Sequence, residues 1–287
     1  MKAGHLAEPL DVVCRFAPIA SVQSDAAVQR RSWSATFRTA IVLAKECVSG
    51  LLSACSNRGR PREALQSRHG VSSKRTFEYA FVVTSSNSPA TVAALVEALR
   101  YDPFYVAITE ELADNEARRR KALGRYFDYS MSEGARMGRL VVWPDESIGA
   151  AVWLLPAETS VYDAEAKAKA VFLAEALGSA GAVTYQRIIN FMRPRALAAV
   201  DESSWYLSIV GVMPSVQGQG IGRRLIESTL VEADDAGVDC YLETFDSRNP
   251  LFYQRLGFSA VGSHAEPVTG ATYTIMRRSP KRRSARS

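Results

Sequence analysis

Val212-Met213-Pro214-Ser215-Val216-Gln217-Gly218-Gln219-Gly220-Ile221-Gly222-Arg223-Arg224 is the segment on which the reading of this sequence turns. Trp205–Val212 reads as a strand before it and Gly222–Ala236 as a helix after it, so a Gly-rich turn ends a strand and opens a helix. The first turn of a helix has N–H groups without intrahelical acceptors and a partial positive charge, which suits a phosphate. Glycines let amide nitrogens approach a diphosphate with no Cβ in the way. Arg223 and Arg224 bring charge for a further phosphate.

A strand-to-helix turn can also be tight and bind nothing. A dinucleotide-binding turn is a third reading, with Gly-x-Gly-x-x-Gly and an acid about 20 residues on. Gly218 and Gly220 fit it and Glu243 would be the acid, but Arg223 stands where the third glycine belongs. Met213 to Gln217 also separate the strand from the first glycine, and too little chain follows to complete a doubly wound sheet.

Working outward, Cys240–Thr244 reads as a strand, Pro250–Leu256 as a short helix and Ala271–Arg277 as a closing strand, in the order β-turn-α-β-α-β. Upstream, Phe77–Thr84 reads as a strand. Ala90–Arg100 reads as a helix with Val92, Leu95, Val96 and Leu99 at helical spacing, broken by Asp102-Pro103. Glu110–Ser132 reads as a second helix that buries Leu112, Leu123, Tyr126 and Phe127. Gly138–Trp143 and Ile148–Leu155 form a hairpin, and Asp163–Leu177 and Thr184–Leu197 are two further helices. Phe104, Tyr105, Trp143 and Trp153 could line an acceptor pocket, but core packing is the first reading of each.

Gln217-x-x-Gly220-x-Gly222 resembles the Gln/Arg-x-x-Gly-x-Gly/Ala loop of the GCN5-related N-acetyltransferase (GNAT) superfamily. Val212-x-Pro214 and Asn249-Pro250-Leu251-Phe252-Tyr253-Gln254-Arg255-Leu256-Gly257-Phe258 resemble it too, and Asp102-Pro103-Phe104 less specifically. The resemblance runs from Phe77 to Arg277, with its strong motifs in Trp205–Phe258. It implies an α/β fold, the GNAT-like acyl-CoA N-acyltransferase fold: a mixed, mostly antiparallel sheet flanked by helices on both faces. The strands around Val210 and Tyr241 should splay apart to admit acetyl-CoA.

Position by position, the resemblance implies that Gln217, Gly218, Gln219, Gly220, Ile221 and Gly222 hold the diphosphate with Arg223 beside them. Val210 and Val212 would pair with the pantetheine arm as one strand adds to another, and Asn249 would contact it. Tyr253 would protonate the leaving thiolate, a step a phenol of pKa about 10 can serve. A backbone N–H of Val210–Val212 would face the oxyanion, with Gly211 permitting a bulge. Many relatives carry a glutamate on the strand before the loop, yet Leu207–Val212 has no carboxylate. Glu243 is the first candidate for the base and Asp246 the second, and Glu243 reads equally as a structural carboxylate. The reaction implied is direct attack of an amine on the thioester. The other reading is a regulatory module that keeps the CoA-binding fold without chemistry.

The net charge of +5 divides unevenly. Residues 1–75 hold 12 Lys/Arg against 5 Asp/Glu, and Arg277–Ser287 holds 6 Lys/Arg and no acid, which leaves the stretch between them at −8. An acidic body fits a small-molecule amine better than a nucleic acid. Residues 1–75 read as a low-order basic extension, a transit peptide or a start codon placed too early. Residues 76–278 read as the acetyltransferase domain and 279–287 as a basic tail. No apolar run reaches the length of a membrane span. Cys14, Cys47, Cys55 and Cys240 include no Cys-x-x-Cys pair, so the expected setting is cytoplasmic. His5, His69 and His264 are the only histidines, which argues against a metal site or a Ser-His-Asp triad.

Overall fold

A computed structural model describes residues 87–281. The strand expected at Phe77–Thr84, the extension 1–75 and most of the tail lie outside the described residues.

Helix α1 (Pro89–Leu99) begins at Ser88, whose hydroxyl accepts a hydrogen bond from the Ala90 amide at 3.3 Å. Helix α2 (Pro103–Ile108) begins at Asp102, whose Oδ1 accepts one from the Phe104 amide at 2.9 Å. In both, proline fills the first turn, where a missing N–H breaks no helical bond. The helix expected over Glu110–Ser132 is divided. A 3₁₀ turn occupies Glu110–Leu112, and α3 (Glu116–Met137) starts at Asn115, which accepts from the Arg118 amide at 3.0 Å.

Strands β1 (Gly138–Val142) and β2 (Gly149–Leu154) form the expected hairpin. The two helices expected next are the halves of one helical run, α4 (Thr159–Ala199), interrupted at Gly178 with φ 78° and ψ 170°. Then come β3 (Trp205–Val212), a 3₁₀ turn at Pro214–Val216, α5 (Ile221–Ala236), β4 (Cys240–Thr244) and α6 (Asn249–Gln254). Strands β5 (Ser259–Ala265) and β6 (Thr272–Arg278) close the sheet. Strand β5 was not expected. It is a largely exposed edge strand of small and polar residues and carries no alternating pattern.

The sheet order is β1-β2-β3-β4-β6-β5. Every pairing is antiparallel except β3 with β4, so the sheet is mixed and mostly antiparallel as expected. The β3–β4 ladder covers only Trp205–Cys240, Tyr206–Tyr241 and Leu207–Leu242. Beyond it, β3 stays with β2 as far as Val212, and β4 stays with β6 as far as Thr244. The two central strands therefore part at Val210, as the resemblance implied, whereas Tyr241 still pairs with Tyr206.

Side chains alternate between two cores. Leu95, Phe127, Ile188 and Met192 of the helices pack with Tyr206, Ile209 and Tyr241 on one face. Leu225, Ile226 and Leu230 of α5 pack with Leu207, Cys240, Leu242 and Tyr253 on the other. Each buried leucine or isoleucine contributes about 1.5–3 kcal/mol. Phe104, Tyr105 and Trp153 are buried in these cores. Gly211 lets α1 approach β3, since a Cβ there would stand 2.7 Å from Leu95 and 3.3 Å from Ala98. The bulge in β3 falls instead at Ser208, which is left over where the register with Val152 and Trp153 shifts.

Candidate active site

A cleft of about 1260 Å³ opens where β3 and β4 part. The Gly-rich turn forms one end. The Met213 amide donates to the Ile148 carbonyl at 2.7 Å, and Gln217 Nε2 donates to the Val212 carbonyl at 2.9 Å. These bonds tie the turn to the hairpin and to the end of β3. Gly218 and Gly220 have φ of 80° and 77°, values that L side chains rarely adopt. The Arg224 amide reaches the Gly220 carbonyl at 3.2 Å as α5 begins. The amides of Ile221, Gly222 and Arg223 precede the first helical bond and lie at the cleft. Gly222 also brings the helix close to Phe252, whose Cζ would lie 3.4 Å from an added Cβ.

The remaining expected site residues divide. Val210, Val212, Gln217, Gly218, Gly220, Ile221, Gly222, Arg223, Asn249 and Tyr253 all line the cleft. Gln219 is exposed at the tip of the turn and is not part of that lining. Arg223 forms an exposed ion pair with Glu227 at 2.9 Å, four residues along α5. Asn249 Nδ2 donates to Thr244 Oγ1 at 2.9 Å, which fixes the start of α6 against the end of β4. Tyr253 is buried, with Phe252 and Phe258 edge-on at 5.0 and 5.9 Å. Burial pushes its hydroxyl well above the ordinary tyrosine range, and the negative charge of Asp102 pushes the same way.

Glu243 alternates to the opposite face of β4 from Leu242 and is not part of the cleft lining. Tyr206 donates its hydroxyl to Glu243 Oε2 at 3.4 Å. Asp246 lines the cleft with both oxygens held by Arg248, at 3.0 Å from Nε and 2.6 Å from a terminal nitrogen. Those bonds hold its carboxyl below the usual range. The sequence reading gave no site role to Tyr101, Asp102 or Phe245, which also line the cleft. Asp-Pro between two helices, with a side chain able to cap the second, is the signal that points to Asp102.

Among the described residues, no helix is long and apolar enough to cross a membrane.

The model of the acetyltransferase (GNAT) domain matches residues 167–260. An uncharacterized N-acetyltransferase of Schizosaccharomyces pombe is 26% identical over 190 residues, which is 61% of this chain and 72% of that protein. Among solved structures, the Corynebacterium glutamicum protein described as histone acetyltransferase HPA2 and related acetyltransferase is 23% identical, with a TM-score of 0.48, covering 69% of this chain and 93% of its own. Arylalkylamine N-acetyltransferase 2 of Aedes aegypti is 13% identical, with a TM-score of 0.49, covering 70% of this chain and 98% of its own. Over residues 167–260 the chain is thus similar to the acetyltransferase (GNAT) domain, and over 190 residues to an N-acetyltransferase.

Proposed function

We propose that this chain transfers an acetyl group from acetyl-CoA to a small-molecule amine by direct attack in a ternary complex. The observation that carries this reading is the ending of the β3–β4 ladder at Leu207 and Leu242, beside a helix N-terminus built on Gly218 and Gly220. The amides from Gln217 to Gly222 hold the diphosphate, with Arg223 supplying charge nearby. The free edge at Val210 and Val212 takes the pantetheine amides as a further strand, and Asn249 borders the arm. The thioester carbonyl then lies in the gap between the strands.

The amine nitrogen attacks that carbonyl, a C–N bond forms, and the C–S bond breaks. Tyr253 donates its proton to the departing sulfur. Its burial keeps the phenol protonated until thiolate develops. Ordering both reactants in one cleft supplies much of the acceleration. The acidic stretch between the two basic ends favours a cationic acceptor.

Calorimetry with CoA and acetyl-CoA, followed by a free-CoA release assay across amine classes, tests the reading. Binding of acetyl-CoA with amine-dependent release is the expected result. Folded protein that gives no heat with either nucleotide ends the proposal. Binding without release for any amine leaves a CoA-binding module.

A further inference from the structure

Four arginines line the cleft: Arg100, Arg223, Arg248 and Arg255. Three of them are paired with carboxylates. Arg100 meets Glu116 at 2.7 Å and Glu97 at 3.3 Å, Arg223 meets Glu227 at 2.9 Å, and Arg248 meets Asp246 at 2.6 Å. Arg255 is exposed, and among the described residues it has no ion-pair partner.

Water satisfies an exposed guanidinium, so its place in the fold decides what it can do. The backbone of Arg255 stays helical at φ −65° and ψ −18°, which continues α6 and sets Arg255 one turn beyond Phe252 on the same face. Phe252 lies against the start of α5, where its Cζ would stand 3.4 Å from an added Cβ at Gly222. Tyr253 and Leu256 on the adjoining face are buried in the core beneath α5, which fixes how α6 is turned. Gly222 belongs to the turn whose amides precede the first helical bond of α5. The face of α6 that begins at this turn therefore ends, about 5.4 Å further along the helix, in a positive charge that also borders the cleft.

We infer that Arg255 takes the ribose 3′-phosphate of the nucleotide, so that the donor this chain selects is a free CoA thioester rather than its dephospho form or a pantetheine carried on a protein. This rests on the acetyl-CoA reading above. In that reading the pantetheine arm leaves the diphosphate toward the gap between the strands, and the ribose leaves it on the other side. The 3′-phosphate is one sugar ring from the diphosphate, a span that one helical turn from Phe252 to Arg255 matches. A guanidinium presents paired N–H groups to phosphate oxygens, and Arg255 has them to give without breaking an ion pair. Arg100, Arg223 and Arg248 would each have to leave a carboxylate first. A dephosphorylated or protein-carried donor brings no charge to this position, so it forgoes the contact.

Calorimetry with CoA and with 3′-dephospho-CoA, on wild type, Arg255→Gln and Arg255→Lys, tests the inference. Arg255 is exposed, so both variants should melt near wild type. Wild type should bind CoA about tenfold more tightly than dephospho-CoA, a gap that narrows as salt rises. Arg255→Gln should lose about tenfold for CoA and far less for dephospho-CoA, so the two ligands converge. Arg255→Lys should keep part of the gap, since it retains the charge but not the paired N–H groups. Equal losses for both ligands in Arg255→Gln would mark a structural role and overturn the inference. So would equal wild-type affinities, or a gap that survives in Arg255→Gln and disappears in Arg223→Gln or Arg248→Gln. Those results leave the CoA-binding reading standing, whereas folded wild type that gives no heat with either ligand removes both.

Discussion

At Trp205–Leu207 and Cys240–Leu242, β3 and β4 are bonded to each other, and Leu207, Cys240 and Leu242 are sealed against α5. A few residues on, the same strands separate, and Val210–Val212 of β3 and Phe245, just past the end of β4, border the cleft. The two ends are alike in residue type, with Val210 and Val212 as apolar as Leu207 and Leu242. What differs is the source of each strand's partner. At the closed end the chain supplies every partner itself. At the open end no described strand pairs with the far edge of β3, and on the proposed reading the pantetheine arm takes that place, so closed-end substitutions should register as stability and open-end substitutions as turnover.

The largest effect belongs to the closed end. Arg278 stands opposite Cys240 in the β4–β6 register, 3% exposed, with its terminal nitrogens 2.8 and 2.7 Å from the two oxygens of Asp234. Its Nε also donates to the Leu256 carbonyl at 3.1 Å. Arg278→Ala leaves the Asp234 carboxylate with only the Lys281 amide at 2.7 Å, and loss of one partner of such a pair costs about 3–5 kcal/mol. Thermal unfolding measures it, and the protein still folded should bind acetyl-CoA as before. Burial alone would raise the Asp234 carboxyl, but the bonds and charge of Arg278 together with those of Lys281 outweigh it and hold the group below its ordinary 3.8. A depressed folded value means that this stabilisation is present above the unfolded value and is lost as pH falls through the folded one. Acid titration should therefore unfold wild type more steeply than Arg278→Ala.

Tyr253→Phe sharpens the contrast from the open end. The ring and its contacts with Phe252 and Phe258 stay, and only the proton donor goes. Thioester turnover should fall about a hundredfold with little change in melting temperature. A large drop in stability with unchanged turnover per folded molecule would make Tyr253 a core residue.

How much of this contrast could be read from residues depends on whether the cause was local. The bounds of β3 and β4 were legible to the residue, because each is a short apolar run with clear turns on both sides. The parting of the strands was legible only through the resemblance, since no property of Val210 or Leu242 announces where a ladder ends. Strand β5 was illegible because its exposed edge buries almost nothing and so needs no pattern. Gly211 misled in kind. Its sequence neighbourhood cannot distinguish a bulge from the close approach of a helix almost as far along the chain as Leu95. Asp102 was visible as part of a helix break, but its place in the cleft depends on α1 packing against β3.

Two glycines on α5 separate backbone strain from function. Gly220 opens the helix at φ 77° and lines the cleft, while Gly237 closes it at φ 69°, outside that lining. Alanine in left-handed backbone costs about 1–2 kcal/mol, so both substitutions should lower stability by similar amounts. Only Gly220→Ala should also weaken acetyl-CoA binding, by distorting the amides that meet the diphosphate. Equal affinity in the two variants would remove the turn from the binding site.

The smallest effect concerns Cys240, fully buried at the closed end. Burial pushes its thiol up to about 12, against a partial opposing pull from Arg278. The folded chain therefore keeps this proton from its ordinary 9.0 up to that value, whereas the unfolded chain releases it. A state that binds more protons loses ground as pH rises, so stability should decline across this window, by at most about 1.4 kcal/mol per pH unit. Cys240→Ala should flatten that decline. Iodoacetamide near pH 8.5 should spare Cys240 in the native protein and alkylate it in urea, as peptide mass mapping would report. Rapid native alkylation would mean that the paired end opens as readily as the parted one, and the division between a structural end and a ligand-ready end would fail.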